Sequence, residues 1–474
     1  MRGAKALFGA IGAICAMAPA AGLAADTPEA GAAGAAGAAP AASKDQGKAS
    51  ECAGYGTGFF KLGDTGFCAK AGYDVMGFVA KDFASHDIGL VGQRLPSSSY
   101  LAGVPILYYY DKNFSKQTDA PYPGVDGQVN FVAMRQTDYG ALIGYVNVRA
   151  AGQLQKNDNG DLGYVSNNAV NGSIAEGLVD QAWVRLGGFE VGIQPSMFGF
   201  ARWGYSISPG YSSLVNTPAV SYTYRVDNVA GSNNSVSASI ALEDGSRRDM
   251  YDGVLANYGS TYRPDVVAQA RFGTPNLLLH IGGALHEIHD VAAWDCCSSP
   301  DHTLWGVAAT AGGEYRVKWS DVFGPAAGDT YGRLLLQVAA SHGAIGYLGI
   351  PFFATDYVVN GDGDVRETAG YSAVASYEHL WTPTVKSSIT YSIFGTSEAS
   401  NTELLGPNEP MWFDVKMRGA LLQGGIEDMV QPGLTIGAEA GYTWTTATGN
   451  YAGASSAPLS IGFPNVAAYV RKFF

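Results

Sequence analysis

His286, His289, Cys296, Cys297 and His302 crowd into one short stretch of the chain, and imidazole and thiolate are the ligands zinc prefers. Their spacing matches no standard zinc site, and an exported chain meets oxidants that remove free thiols. The stretch therefore reads as a solvated loop in which Cys296 and Cys297 form either a vicinal ring or a redox pair. Asn360-Gly361-Asp362-Gly363-Asp364 sets three oxygen ligands at alternate positions, as the start of a calcium loop does. No Glu follows at the twelfth position, so a surface turn is the simpler reading. Gly-x-Ser-x-Gly, His-Glu-x-x-His and a phosphate-binding loop are all missing. The expectation is no catalysis, no metal and no cofactor. The remaining chemistry is charge placed at every second residue, which belongs to a wall rather than to a reaction centre.

That spacing needs strands. Val266, Ala268, Ala270 and Phe272 share one face, and Gln269 and Arg271 the other. Val236, Ala238, Ile240 and Leu242 oppose Ser237, Ser239 and Glu243. Leu277, Leu279, Ile281 and Leu285 oppose His280 and His286. Leu434, Ile436, Ala438, Ala440 and Tyr442 oppose Thr435 and Glu439. Charges in the middle of such strands require water on the polar face. Strand starts fall near residues 68, 126, 139, 177, 188, 219, 234, 264, 276, 305, 330, 370, 385, 411, 433 and 465. Sixteen is an even number, as a closed bacterial barrel needs. Connections alternate between short ones, such as Gln136-Thr137-Asp138, Gly187-Gly188 and Gly273-Thr274-Pro275, and long ones at 84–124, 152–175, 197–218, 342–369 and 395–410. The expected fold is all-β: a transmembrane antiparallel β-barrel of about 16 strands, with short periplasmic turns and long extracellular loops. Tyr139, Trp305, Tyr331, Tyr371, Tyr377, Tyr391, Trp412, Phe413 and Tyr442 at strand ends suit interfacial girdles, and a water-filled barrel is expected to hold no closed core.

Composition agrees. The 474 residues are 47% hydrophobic but only 15% charged, against roughly 25% in soluble domains. The net charge of −13 offers no basic stripe for nucleic acid. Arg2 and Lys5 precede an apolar stretch from Ala6 to Pro19 and small residues up to Ala25, the pattern of a secretory signal over 1–25. Its removal takes the net charge to −15. Residues 26–50, almost all Ala, Gly, Pro and Ser, read as a flexible periplasmic linker, and 51–474 as the barrel domain. Four cysteines remain in the exported chain, and Cys52 and Cys68, bracketing a glycine-rich loop, are the expected local disulfide. The chain closes on Val466-Ala-Ala-Tyr-Val-Arg-Lys-Phe-Phe474, similar to the terminal strand by which outer-membrane barrels are recognised for assembly.

Five segments resemble the porin family of alphaproteobacteria, the rhizobial and Brucella-type porins in particular. They are Cys52-Ala-Gly-Tyr-Gly-Thr-Gly-Phe-Phe60 with Asp64-Thr-Gly-Phe-Cys68; Asp180 to Phe200, through Trp183, Gly187-Gly188 and Pro195; Ser239 to Arg248; Pro264-Asp265-Val266-Val267 with Gly283-Ala284-Leu285-His286; and Tyr377-Glu-His-Leu-Trp-Thr-Pro383. The long Ala/Gly leader and Glu190 depart from the family pattern. The resemblance implies a passive, homotrimeric channel in the outer membrane of a Gram-negative bacterium. It would pass small hydrophilic solutes and contact outer-membrane lipid and lipopolysaccharide, and its third loop, near 197–218, would fold inward. A solute-specific channel and a structural barrel are the alternatives.

Selectivity in such a channel comes from the charges lining it. Strand phase turns Arg185, Glu190, Arg225, Arg271, Glu314, Arg316 and Arg333 toward the lumen, together with Lys70, Asp74, Arg149, Lys386, Asp414, Lys416, Arg418 and Glu439. The third loop carries no carboxylate and only Arg202. A transverse field would then need Arg185, Arg225 and Arg271 on one side and wall acids, with Glu190 and Glu243 as candidates, on the other.

Overall fold

The structure is a computed structural model that describes residues 52–82, 122–156, 162–166, 178–200, 205, 210–212, 215–248, 263–290, 302–320, 330–350, 356–359, 365–397, 404–406, 409–411, 413–451, 454–455 and 459–473. Sixteen long strands form one antiparallel sheet. They are β1 (Cys68–Asp82), β2 (Tyr122–Thr137), β3 (Gly140–Lys156), β4 (Leu178–Leu186), β5 (Phe189–Pro195), β6 (Asn216–Asp227), β7 (Ser235–Glu243) and β8 (Asp265–Gly273), followed by β9 (Leu277–Asp290), β10 (His302–Lys318), β11 (Tyr331–His342), β12 (Ala369–Leu380), β13 (Val385–Thr396), β14 (Phe413–Gln431), β15 (Leu434–Tyr451) and β16 (Leu459–Phe473). Each pairs with its neighbour in sequence, and β16 closes on β1 with Tyr469 opposite Phe78 and Phe473 opposite Asp74. Closure leaves no open edge, so every strand's backbone groups are paired within the sheet, as a bilayer requires. Each of the sixteen expected strands is present, with its start within about six residues of the expected one.

The outer face is where the large apolar side chains are exposed. Val220, Tyr222, Tyr224 and Val226 line it on β6, Leu334, Leu336 and Val338 on β11, and Ile436, Tyr442 and Trp444 on β15. Exposed Tyr139, Trp305, Tyr331 and Tyr371 stand on the same surface near strand ends, which suits a ring-shaped anchor at the membrane interfaces. Short turns gather on one rim. One of them joins β4 to β5 through Gly187-Gly188, where Gly187 has φ +58° and a side chain would meet the Tyr139 carbonyl oxygen at 2.8 Å. Gly187 is therefore fixed by both backbone conformation and space.

Inside, the barrel holds a core, which the expectation of an entirely water-filled lumen did not include. Ala241, Val267, Ala284, Ala308, Ser341, Gly370 and Thr396 lie in one register row across seven successive strands, β7 to β13, each opposite the next. Small side chains at all seven positions make a flat shelf. On it sit Phe198 and Tyr211 from the β5–β6 connection and Ile345, Tyr347 and Leu348 from a short 3-10 turn in the β11–β12 connection, all essentially buried. A side chain on Gly370 would meet Leu348 at 2.8 Å and Ile345 at 3.0 Å, so the fit depends on the shelf being small.

A second internal cluster lies beside the N-terminal segment. Tyr55 and Phe59 pack on inward-facing Met134, Ile143, Tyr145 and Trp183 of β2 to β4. The Cys52–Cys68 disulfide ties that segment to the start of β1 across 16 residues. On the chain-entropy model such a loop is worth about 3 kcal/mol. The sixteen-strand ladder is worth far more, so Cys68→Ser should lower the temperature at which the barrel's heat-modifiable band shifts on a gel, yet leave a folded band. A variant that yields no folded band would show the bridge to be required for assembly.

Candidate functional site

The functional surface of a barrel is its inner wall. Here it carries a belt of hydrogen-bonded polar side chains. From β11, Arg333 donates to Glu378 of β12 from Nε at 2.9 Å and from Nη2 at 2.5 Å. Lys386 of β13 reaches the same carboxylate at 3.3 Å and Glu427 of β14 at 2.9 Å. Tyr469 of β16 donates to Glu427 at 2.7 Å. Two residues on, Arg471 donates from Nε to Asp74 of β1 at 2.9 Å. Gln128 of β2 also donates to Asp74, at 3.3 Å, and accepts from Asn147 of β3 at 3.1 Å. Asp180 of β4 accepts from Asn147 at 3.4 Å and from Asn216, the first residue of β6, at 2.9 Å. Neighbouring strands thus place opposite charges side by side.

The segment after β5 covers the inner wall of β7 to β9 and overlaps the belt on β11 to β13. Met197 N–H donates to Glu243 Oε1 at 2.8 Å. Gly199 O accepts from Arg271 at 3.3 Å, and Phe198 O lies 3.1 Å from His280 Nε2. Phe200 stacks on His280 at 5.4 Å. Tyr205 N–H donates to Ser376 of β12 at 2.9 Å, with its ring under the Arg333 guanidinium at 4.6 Å. Tyr211 N–H donates to Ser392 of β13 at 2.7 Å, and its ring meets Phe394 edge-on at 4.6 Å. Between Pro195 and Asn216 the chain therefore touches the inward side of β7, β8, β9, β11, β12 and β13, spending backbone donors on wall side chains as a buried loop must.

In the register, Arg185, Glu190, Arg225, Glu243, Arg271, Glu314, Arg316 and Arg333 lie on the inward-facing side of their strands. Each alternates with an exposed apolar neighbour on its strand or pairs with a residue on the inward face. Their mutual arrangement is different from the one expected. Glu190 does not face Arg185 across the lumen. The two-residue turn puts it directly opposite on the next strand, and Arg185 Nε donates to it at 2.6 Å. Arg225 pairs with Asp227 on its own strand at 2.8 Å, and Arg316 with Glu314 at 2.9 Å. Glu243 is 1% exposed and holds the root of the third loop instead of presenting charge to the lumen. The opposed basic and acidic walls expected from sequence are thus replaced by pairs within one wall. Arg202 lies outside the described residues, as do Cys296, Cys297 and 360–364.

Lys416 and Arg418 correct the strand phase. They alternate with buried Met417 and Leu421 and share a face with exposed Leu422 and Ile426, which points them outward. β14 spans 19 residues, against about 10 for a membrane crossing. At that end the outward face is beyond the hydrocarbon and tolerates charge. The side chain of Asp414 is not among those described. Glu378, Glu427 and Arg471, central to the belt, were not among the residues read from sequence. Their signal was available in the alternation of Glu378 with Tyr377 and His379, but pairing partners only emerge once strands are placed side by side.

The sequence matches the family model described as porin subfamily over residues 50–332, more than half of the chain. Among solved structures, the outer membrane channel DcaP of Acinetobacter baumannii is similar, with a TM-score of 0.57 and 12% identity over 88% of this chain and 99% of that one. An anion-selective porin from Comamonas acidovorans aligns with a TM-score of 0.42 and 10% identity over 86% of this chain and all of that one (100%). No curated protein matches the sequence. The family match, on a closed barrel with a polar inner wall, identifies the chain as a member of the porin subfamily, a passive channel of the Gram-negative outer membrane.

Proposed function

We propose that the chain is a general-diffusion porin of the alphaproteobacterial type for small hydrophilic solutes and ions, working as a homotrimer, with weak ion selectivity despite its acidic sequence. The observation that carries this reading is the paired belt. Arg333, Glu378, Lys386, Glu427, Arg471 and Asp74 alternate in sign around the wall, so their fields largely cancel within the Debye length of about 8 Å at physiological salt. The residues between Pro195 and Asn216 add no carboxylate. Pore-lining roles go to Arg185, Glu190, Arg225, Arg271, Glu314, Arg316 and Arg333, with Arg202 as the third loop's own charge and Glu243 as its anchor. Residues 1–25 serve as the export signal and 26–50 as a periplasmic linker, by composition.

A liposome-swelling series tests the reading. Rates should fall smoothly with solute size and little with solute identity. One strongly favoured solute would point to a specific channel, and no swelling at all to a structural barrel.

Arg271 reaches the third loop from the lumen wall, donating to Gly199 O. Arg271→Ser should move the reversal potential in a salt gradient toward cations, because it removes positive charge where the loop crowds the lumen. Arg225→Ser, at the end of β6 beside Asp227, should move it less. An unchanged potential in Arg271→Ser would place that side chain away from the ion path.

A further inference from the structure

Three connections meet at one buried polar knot above the shelf. His286, on the inward face of β9, is fully buried. Its Nδ1 lies 2.9 and 3.0 Å from the two oxygens of Asp265, and its Nε2 lies 3.8 Å from Asp356 Oδ2. Asp356 belongs to the β11–β12 connection, and its other oxygen accepts the Ile345 N–H. Tyr347 of the same connection donates to Asp265 at 2.5 Å, and its ring meets Phe198 of the third loop at 4.8 Å. Arg248, just beyond β7, covers that ring at 4.3 Å and donates to Gly346 O at 3.2 Å. Glu243 lies beneath, holding the Met197 N–H. One cluster therefore pins the third loop and the β11–β12 connection to the wall.

The charges of this knot depend on one proton. Asp265, Asp356 and Glu243 bring three carboxylates, and Arg248 brings one fixed cation. A neutral imidazole has a single N–H and would turn a lone pair toward one of its two carboxylates. The imidazolium matches both and halves the uncompensated buried charge, which is the costly quantity in such a site. Burial, then the Asp265 carboxylate, push the Tyr347 hydroxyl well above its usual range, so it remains a donor whatever His286 does. On the same strand, His280 faces Phe198 O and has Arg271 nearby, and Glu287 takes the Arg263 N–H. At the rim, His342 pairs with Glu367 at 3.1 Å.

We infer that His286, held between Asp265 and Asp356, is a proton-dependent latch that keeps the 344–350 segment seated in the lumen and thereby sets the width of the passage. The proposal rests on the channel reading above. Its sign follows from the pairing. An imidazolium satisfies Asp265 and Asp356 together and a neutral ring only one of them, so a proton on His286 favours the seated state. Seating is favoured at mildly acidic pH and is lost as pH rises and the proton leaves. A single proton biases such an equilibrium by at most about tenfold per pH unit.

The test is planar-bilayer recording of the full chain and of His286→Gln between about pH 5.5 and about pH 8.5. Gln keeps a hydrogen-bonding head but cannot titrate in this range. In the unsubstituted channel the ratio of wide to narrow conductance states should rise about tenfold or more across that range, and in His286→Gln it should stay flat. An unsubstituted channel with no pH dependence overturns the latch, and so does a His286→Gln channel that keeps it, which would move the effect to His280 or His342. Should His286→Gln fail to give a folded band, Tyr347→Phe serves. It loses the bond to Asp265 but keeps the ring on Phe198, and it should raise the wide-state fraction at the acidic end; an unchanged fraction overturns the latch. Hydrogen exchange at the Ile345 and Tyr347 amides, corrected for intrinsic rate, reads seating without current. Protection that falls with pH supports the latch even if the barrel conducts nothing, which would instead refute the channel reading; protection independent of pH overturns the latch.

Discussion

Replacing Ala308 with Trp should widen the channel, raising single-channel conductance by about twofold while leaving the barrel folded. Ala308 is 4% exposed, at the middle of the small-residue row running from Ala241 to Thr396. The space above it is filled by the Phe198, Ile345, Tyr347 and Leu348 cluster. A bulky ring cannot be added to a packed layer without displacing something. Of the two layers, the sheet is held by a continuous ladder on both sides of β10, while the loop layer is held by isolated contacts such as Met197 N–H to Glu243 and Tyr211 N–H to Ser392. The loops should therefore yield. Conductance in a symmetric salt solution checks this, with gel mobility before and after heating as the control for folding. A folded Ala308→Trp channel with unchanged or reduced conductance would mean that the loop layer does not limit flow.

Glu378→Gln should turn the channel toward anions. Glu378 is 3% exposed and shared by Arg333 and Lys386, which are 22% and 29% exposed at their side chains. Neutralising it removes the carboxylate that the two cations share and leaves Lys386 on Glu427 and Arg333 beside Glu314, with the Arg333 guanidinium over Tyr205 of the third loop. The two cations remain partly hydrated, so the loss of stability should be modest, about 1 kcal/mol. The reversal potential in a salt gradient is the sensitive quantity. It should shift toward anions, because the substitution removes one negative charge from the wall and leaves both Arg333 and Lys386 in place. A potential that does not move would mean that the belt lies outside the ion path.

The barrel itself was legible in the sequence because its two determinants are local. Alternation such as Val266-Val267-Ala268-Gln269-Ala270-Arg271 declares which face is dry, and turns such as Gly187-Gly188 declare where the chain reverses. The local disulfide between Cys52 and Cys68 was legible for the same reason. The interior was not. Phe198, Tyr205 and Tyr211 sit in a connection with no periodicity, and their partners Tyr347, Arg333 and Phe394 lie more than a hundred residues away. The shelf is seven small residues, one on each of seven strands, and becomes visible only when the register aligns them. The pairing of Arg185 with Glu190 was within reach, since a two-residue turn places residues five apart opposite each other. Phase failed at Lys416 and Arg418 because both faces of a strand that overshoots the membrane are wet, so alternation there no longer marks the lumen.

An open, water-filled passage whose wall charges nearly cancel should carry ions of both signs. Planar-bilayer recording of the purified, folded chain in a salt gradient measures this. The current should be ohmic and appear in discrete insertions, each divisible into three equal closures, with a reversal potential much closer to zero than to that of an ideally selective pore. Folded barrels that insert without carrying current, or a current carried almost wholly by ions of one sign, would contradict it.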